Sequence, residues 1–397
     1  MAKWFPKRLD EIVEFNPRET IKKGVIAKKI AMDKLQPFCR DITEFELESF
    51  SGGTKFRNGD TIMARITPCL ENGKTAKVNI LDDGEVGFGS TEYIVFRARE
   101  GVDADFVYYL ISSPLVREPA IKSMVGSSGR QRVQTDVVQG ITVMVPTLEE
   151  QEAIAGILKL LDDKIAVNRK MNDNLLEQAQ TLYKYWFIDC GPFDGIRPSD
   201  WDIGTISDLA KEIVCGKTPS TKVMEYYGSD IPFITIPDMH GNTYATTTER
   251  HLSILGANSQ ARKMLPKNSI CVSCIGTAGL VTLVASESQT NQQINSIIPK
   301  DDYSPFYIYL LMQTLSEVIN KLGQSGSTIV NLNKAQFGKI QIIVPSISVM
   351  KSFDDIVSPL FALILENQME NIHLSSLRET LLPKLMSGEL DISAIDL

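Results

Sequence analysis

The chain holds one cysteine pair whose spacing could bind a metal, Cys271 and Cys274 in the stretch ICVSCIG. A zinc site would need a second pair or suitably spaced histidines to complete its ligands. The three histidines, His240, His251 and His373, are scattered along the sequence. The same stretch is also typical of a buried strand, so we expect buried thiols and no bound metal.

Two Gly-Lys-Thr tripeptides, Gly73–Thr75 and Gly216–Thr218, suggest phosphate binding. A P-loop has another glycine about five residues before its Gly-Lys pair, and Pro68 and Lys211 occupy those positions. The stretch Val86–Ser90 has two glycines, but a strand-like segment follows where a cofactor loop would lead into a helix. We therefore expect no nucleotide and no cofactor on this chain.

Motifs for catalysis are also missing from the sequence. An enzyme that methylates a base amino group needs a short loop with a Pro-Pro pair to hold the flipped base, and the chain has no Pro-Pro. Its three histidines and its acidic residues have no spacing that indicates a general acid–base pair. The sequence predicts a protein that catalyses no reaction, with an enzyme of unrecognised site as an alternative.

Length and composition place the chain among ordinary globular proteins. Its 397 residues, 43% of them hydrophobic, suit two or three domains. No apolar run reaches the roughly 18 residues of a membrane span, and the cysteines have no disulfide framework, which predicts a cytoplasmic protein. The formal net charge is −8. Residues 1–145 carry +1, residues 200–344 carry −1 and residues 345–397 carry −5, so either large block can still present a local basic face.

The second half of the chain repeats the first at an offset of 199 residues, which places Val145-Pro146 on Val344-Pro345. Upstream, ITVMVP falls on IQIIVP, and FVYYL resembles FYIYL with one residue of slippage. Internal repeats of this kind indicate a duplicated architecture. Five residues have an identical partner 199 positions later: Ile157, Leu161, Ile165, Asn168 and Asn172 match Ile356, Leu360, Ile364, Asn367 and Asn371.

Each half predicts a globular block followed by a long helix. The segments DTIMARIT, EYIVFRA, NSICVSCI and LVTLVAS are typical of strands. DADFVYYLISSPLVREPAIKSM predicts a helix broken near Pro114, and SPFYIYLLMQTLSEVINKL predicts another helix. A linker rich in Gly, Pro and Asp separates the halves. We predict an α+β protein with blocks at 1–145 and 201–344, helices at 146–187 and 345–387, a linker at 188–200 and a tail at 388–397.

Both long helices carry a narrow seam of residues spaced alternately by four and three, which is typical of a coiled coil. In the first helix the seam runs through Ile154, Leu158, Leu161, Ile165, Asn168, Asn172, Leu175, Ala179, Leu182 and Trp186. The second seam runs through Phe353, Val357, Leu360, Ile364, Asn367, Asn371, Leu374, Arg378, Leu381 and Leu385. We predict that the two helices pair antiparallel and hold the two blocks apart.

The four seam asparagines fix the expected register. Pairing Asn168 with Asn371 and Asn172 with Asn367 aligns all layers, so that paired residue numbers sum to 539. Trp186 then meets the first seam residue of the second helix. Buried asparagine pairs are known to specify register at some cost in stability. Pro359 should kink the second helix or displace its start.

Several stretches resemble the specificity subunit of type I restriction–modification systems. VPTLEEQ and the following helix, the order of blocks and helices, and the terminal LLPKLMSGEL carry the resemblance, which covers essentially the whole chain. MARITPCLENGKTAKV and GFGSTEYIVF are similar to one type of target recognition domain. GKTPS, IPFITIPDMH and TNQQINSI are similar to another. The second helix departs from the family pattern, since it has VPSISVMKSF where a PLxEQ sequence is usual.

This resemblance implies two target recognition domains and two spacer helices that form an antiparallel coiled coil. Each block would read one half of a bipartite target in double-stranded DNA, with the coiled coil setting an unread gap. Two methyltransferase subunits would dock on the chain and motor-nuclease subunits would join them. S-adenosylmethionine, Mg and ATP are expected only on those partners. A coiled-coil protein scaffold without direct DNA readout is the alternative.

For sequence readout, polar side chains must reach base edges in the grooves. We select polar or basic residues in glycine-bearing loops, and the segment GSSGRQRV is the strongest candidate because two arginines flank a glutamine there. The candidates are Arg65, Thr67, Lys74, Ser90, Thr91, Arg130, Gln131 and Arg132 in the first block, and Lys217, Thr218, Thr277, Asn291, Gln292, Gln293, Ser325 and Thr328 in the second.

Overall fold

The computed structural model describes residues 4–324 and 331–390. The chain divides into two compact units. Met1–Val167 together with Asn371–Leu397 form the first unit, and Asn168–Glu370 form the second. No helix in the described ranges is both long and apolar enough to cross a membrane.

The first unit contains two four-stranded sheets and a two-stranded ladder. Its described strands are β1 (Phe5–Arg8), β2 (Val13–Phe15), β3 (Ile26–Ile30), β4 (Glu46–Ser49), β5 (Thr54–Phe56), β6 (Thr61–Ala64), β7 (Thr75–Lys77), β8 (Gly87–Gly89), β9 (Tyr93–Ala98) and β10 (Thr142–Val145). Its short helices are α1 (Leu9–Ile12), α2 (Ala104–Ser112), α3 (Pro114–Lys122) and α4 (Thr135–Gln139). After β10, the long helix α5 (Leu148–Tyr183) begins, and it ends in a π turn, Lys184–Ile188.

The second unit has the same kinds of elements. Its described strands are β11 (Asp202–Thr205), β12 (Ala210–Cys215), β13 (Tyr227–Ile234), β14 (Tyr244–Ala245), β15 (Arg250–Leu252), β16 (Ile270–Ser273), β17 (Val281–Val284), β18 (Gln289–Thr290), β19 (Ile294–Pro299) and β20 (Gln341–Val344). Its helices are α6 (Ile206–Leu209), α7 (Ile254–Asn258), α8 (Pro305–Thr314), α9 (Ser316–Gln324) and α10 (Lys334–Gly338). The long helix α11 (Ile347–Met386) follows β20.

Strand order repeats from one unit to the other. The main sheet of the first unit has the order β2-β9-β6-β7, and that of the second has β12-β19-β16-β17 with β14 added at the edge. In the smaller sheets, β3 lies between antiparallel β4 and parallel β8, as β13 lies between β15 and β18. The duplication inferred from the offset of 199 residues is therefore present in the fold, and the predicted α+β class is confirmed.

The helices that follow β9 and β19 begin in the same way in both units. The Asp103 side chain accepts a hydrogen bond from Phe106 N at 2.7 Å, and the Ser304 side chain accepts one from Tyr307 N at 3.2 Å, as N-cap residues do. The predicted break at Pro114 is confirmed, because α3 begins there. The single helix predicted in the second block is wrong, since Leu315 separates α8 from α9 without a proline or glycine at that point.

The long helices are antiparallel where they pack within the second unit. Asn367 Nδ2 donates to Asn172 Oδ1 at 2.8 Å, and the rings of Trp186 and Phe353 are 5.9 Å apart. Residue numbers rise along one helix and fall along the other between these two contacts, and both pairs sum to 539. Asn168, also in this unit, donates to Glu370 Oε2 at 2.7 Å.

Helix α11 is continuous from Ile347 to Met386 and includes Pro359. Of the two effects expected from Pro359, a kink or a displaced start, the displaced start is therefore wrong, and the kink stays a prediction. Val357 and Phe361, on either side of the proline, are completely buried. Packing of an apolar face supplies most helix stability in proteins, and here it offsets the backbone hydrogen bond that proline cannot make.

Replacing Asn367 by leucine should lower the free energy of unfolding by about 1–3 kcal/mol, because Asn172 Oδ1 loses its donor beside a buried apolar group. The double variant with Asn172→Leu should recover part of that loss, since both polar groups are then removed. Urea unfolding of the two variants measures the difference. Equal stability of the single and double variants would argue against a coupled pair. Asn371 belongs to the first unit, and its pairing with Asn168 stays a prediction.

Candidate nucleic-acid interface

Three loops of the first unit lie together, and each contains residues that the sequence analysis chose as candidates for DNA contact. The segment after β6 meets the loop between β8 and β9, because Arg65 N donates to Glu92 O at 2.9 Å. It also meets the segment before α4, because Thr67 N donates to Gln131 O at 3.0 Å and Val133 N donates to Arg65 O at 2.8 Å. We call the residues Arg65–Thr67, Ser90–Glu92 and Arg130–Arg132 the first corner.

Glu92 is the acidic centre of the first corner. Arg132 Nη2 donates to Glu92 Oε1 at 2.7 Å, and Arg132 Nε lies 3.0 Å from both carboxylate oxygens. Arg65 Nε lies 4.0 Å from the same carboxylate. The hydrogen bonds from Arg132 hold the pKa of Glu92 below its usual value, so the group is ionised at neutral pH. With Arg130 exposed beside it, the corner carries three guanidiniums and one carboxylate.

The remaining first-block candidates have protein contacts of their own. The Ser90 hydroxyl accepts from Glu92 N at 3.1 Å, and the Thr67 hydroxyl lies 3.4 Å from the Met124 sulfur. Lys74 Nζ donates to the Met32 carbonyl at 2.8 Å. Thr91 and Arg130 are exposed. The polar tips of Lys74, Ser90 and Thr67 therefore help to fix the loops.

In the second unit, the candidate loops also meet at the main sheet. Lys217 N donates to Thr290 O at 2.9 Å, and the Thr218 hydroxyl donates to Gln292 Oε1 at 2.7 Å. Cys274 N donates to Gln293 O at 2.8 Å, which brings the turn with Thr277 to the same place. We call Lys217–Thr218, Cys274–Thr277 and Asn291–Gln293 the second corner. Ser325 and Thr328 lie outside the described residues.

Asn291 and Gly216 give the second corner its shape. Asn291 is 9% exposed and bonds twice with Gln293, through Nδ2 to Oε1 and through Oδ1 to the backbone N, both at 3.0 Å. A Cβ on Gly216 would lie 2.1 Å from Asn291 O, so a side chain there would collide with backbone. Lys217 and Gln292 are left exposed on this fixed frame.

The two corners occupy equivalent positions in the repeated fold. Ser90–Glu92 leads into β9 as Asn291–Gln293 leads into β19, and Arg65 follows β6 as Cys274 follows β16. Their chemistry differs, because the first is rich in guanidinium groups and the second in amides. Arginine suits the two acceptors of guanine, whereas asparagine and glutamine suit the acceptor and donor of adenine.

Sequence reasoning passed over Glu92 of the first corner and also Arg18, which lies outside the residues that define the corner. Glu92 stood in the quoted stretch GFGSTEYIVF but was not chosen, because Arg132 is distant in the sequence and meets it only in the folded unit. Arg18 is exposed and follows β2 as Lys217 follows β12. The repeat itself was the signal that could have found Arg18.

Cys271 lies in the core beside the second corner, and Cys274, which belongs to the corner, is buried as well. Burial raises the pKa of the Cys271 thiol to about 12 and that of Cys274 to about 11, so neither is ionised at neutral pH. In the ranges that the structure describes, no three His, Cys, Asp or Glu side chains are grouped as metal ligands.

Comparison with known proteins identifies the family. A family profile described as "Type I restriction modification DNA specificity domain" matches residues 1–177 and 198–373. The specificity subunit of the type I restriction enzyme HindI from Haemophilus influenzae is 33% identical, over 84% of this chain and 87% of that protein. The MjaIX specificity subunit from Methanocaldococcus jannaschii is 25% identical, over 75% of this chain and 71% of its own length.

A solved structure has the same fold. The type I restriction–modification S subunit from M. genitalium aligns over 97% of this chain and 96% of its own with a TM-score of 0.57, at 16% sequence identity. The profile covers both halves of the duplicated chain, and each matched half contains one corner. The chain therefore belongs to the family of type I restriction–modification specificity subunits.

Proposed function

We propose that this chain reads a bipartite DNA sequence for a type I restriction–modification complex, one half-site per corner. The observation that carries the proposal is the repetition of the corner. At equivalent strand ends, the two main sheets present different sets of polar side chains on a common frame. Polar side chains held on such a frame suit direct readout, because phosphate contacts position a protein and base-edge contacts specify the sequence.

The proposal assigns the chemistry to partner subunits. Two methyltransferase subunits and motor-nuclease subunits would assemble with this chain, and S-adenosylmethionine, Mg and ATP would bind to them. Support comes from the missing motifs for methyl transfer and nucleotide binding and from the inert, buried thiols. The unread gap set by the long helices and the cytoplasmic location are further parts of this proposal.

A protein scaffold without DNA readout is the weaker candidate. A scaffold would not require two equivalent polar corners that differ in hydrogen-bonding character. The family to which the chain belongs is described by its DNA specificity domain. The scaffold reading therefore has no observation in its favour.

Changing Gln292 to alanine should relax one base pair of one half-site, and changing Arg132 to alanine should relax one base pair of the other. Each loss of discrimination should be on the order of 1–3 kcal/mol. Methylation of a randomised bipartite library by the complex with its methyltransferase subunits measures both half-sites at once. Each variant is the control for the other.

A complex with no sequence preference would refute the proposed function. Variants that relax the same half-site would refute the assignment of one half-site to each corner. A uniform loss over all sequences would demote the residue to a phosphate contact.

A further inference from the structure

The backbone of Arg132 is fixed by two hydrogen bonds to Val125. Its backbone N donates to Val125 O at 2.9 Å, and its carbonyl accepts from Val125 N at 3.0 Å. Its backbone also forms an isolated bridge with Ile66. Arg130, in contrast, has a turn contact from its N to Ser127 O at 3.0 Å and an exposed side chain.

The Arg132 side chain is fixed at one edge only. Glu92 accepts from Nε and Nη2, which leaves Nη1 and the second hydrogen of Nη2 for another ligand. These remaining donors form a fork, which is the geometry that matches O6 and N7 of guanine. The Arg132 side chain is 46% exposed, whereas that of Glu92 is 24% exposed, so the guanidinium is the more accessible partner of the pair.

We propose that Glu92 is a positioning residue for base readout in the first corner, holding the Arg132 guanidinium so that its free edge meets one guanine. The inference rests on the proposed function and names the residue that gives it specificity. An arginine side chain that is free in solution loses rotamer entropy when it is ordered. Glu92 orders it before DNA arrives, so less of that cost falls on binding.

Charge keeps this arrangement attractive to DNA. One carboxylate serves both Arg132 and Arg65, so the three groups together carry a net charge of +1. The carboxylate also prevents Arg132 from swinging to the nearest phosphate, which would give affinity without sequence information. Glu92 therefore lowers the affinity for DNA of any sequence and raises the discrimination between sequences.

The second corner supports a positioning role at this loop. Gln293 stands immediately before β19 as Glu92 stands immediately before β9, and it is fixed by Asn291. The Asn291–Gln293 loop has no carboxylate, and its side chains are uncharged amides. The loop before β9 and the equivalent loop before β19 thus each fix the geometry of a polar side chain. Only the loop before β9 uses a charged group, Glu92, because the side chain that it holds there is an arginine.

Glu92→Gln tests the proposal in the complex with its methyltransferase subunits. The variant should lose discrimination at one base pair of one half-site by about tenfold. Its affinity for unrelated DNA should rise, and the slope of log affinity against log salt should steepen by roughly 0.9, because one more cation reaches a phosphate. Glu118→Gln is the matched control, since it removes the same charge from an exposed pair with Lys122 in α3.

Arg132→Lys provides a second route should Glu92→Gln fold poorly in a thermal melt. It keeps the positive charge but loses the fork, so it should relax the same base pair without a steeper salt slope. Unchanged discrimination in Glu92→Gln, or equal effects of Glu92→Gln and Glu118→Gln, would overturn the inference. A wild-type complex without sequence preference would instead overturn the proposed function.

Discussion

Replacing Arg378 by alanine should lower the free energy of unfolding of the first unit by about 3–5 kcal/mol, because it leaves the buried Asp162 carboxylate without its cation. Arg378 Nη1 donates to Asp162 Oδ1, and Nη2 donates to Phe38 O at 3.0 Å. The Tyr109 hydroxyl donates to Asp162 Oδ2 at 2.8 Å. The side chains of Arg378 and Asp162 are 11% and 4% exposed, so the ion pair is shielded from water.

The second unit supplies the control for this prediction. At the equivalent positions it has Ala179 for Arg378 and Phe361 for Asp162. The triple variant Tyr109→Phe, Asp162→Phe, Arg378→Ala should therefore cost less than Arg378→Ala alone, because apolar packing can replace a buried ion pair. Urea unfolding with hydrogen exchange of the α2 amides measures the first unit. A triple variant less stable than the single one would contradict the argument.

Phe361→Ala should destabilise the second unit by about 3–5 kcal/mol, the range found for removing a buried phenylalanine. The Phe361 ring is completely buried and stacks on Phe306 with centroids 4.4 Å apart and planes 9° apart. Tyr309 meets it edge-on at 5.6 Å. Loss of the ring removes an aromatic layer between α8 and α11 and leaves a cavity.

Hydrogen exchange of the α8 amides is the measurement for Phe361→Ala. Leu360→Ala is the control, because Leu360 lies next in the chain but is only partly buried. The control should lose clearly less protection in α8. Equal losses of protection in the two variants would show that the stacked ring stabilises this core no more than a partly buried leucine does.

The repeat could be predicted from the sequence. The difference between the buried Asp162–Arg378 ion pair of the first unit and the apolar residues at the equivalent positions of the second unit could not. Spacing and matched residues indicated the helices, their antiparallel pairing and the offset. Asp162, however, resembles any charged residue on the solvent side of a helix. Its burial depends on Tyr109 and Arg378, which are distant in the sequence and meet it only in the folded unit.

The same limit applies to the candidate site. Glycine-bearing polar loops indicated where the corners would lie, because turn residues and donors are local signals. The pairing of Glu92 with Arg132 and the use of Lys74 on the Met32 carbonyl depend on tertiary approach. The break at Leu315 had no local signal either, since neither proline nor glycine marks it.

In each block, the first strand pairs with the last. Phe5 lies opposite Val145 in β1 and β10, and Asp202 lies opposite Val344 in β11 and β20. The chain therefore enters and leaves each block at one ladder, so a change of loop length inside the block need not move its ends. Longer loops add little closure entropy. Insertions and deletions within a block therefore leave its paired first and last strands in place. A block can acquire new loops while the helix that follows it keeps its starting point.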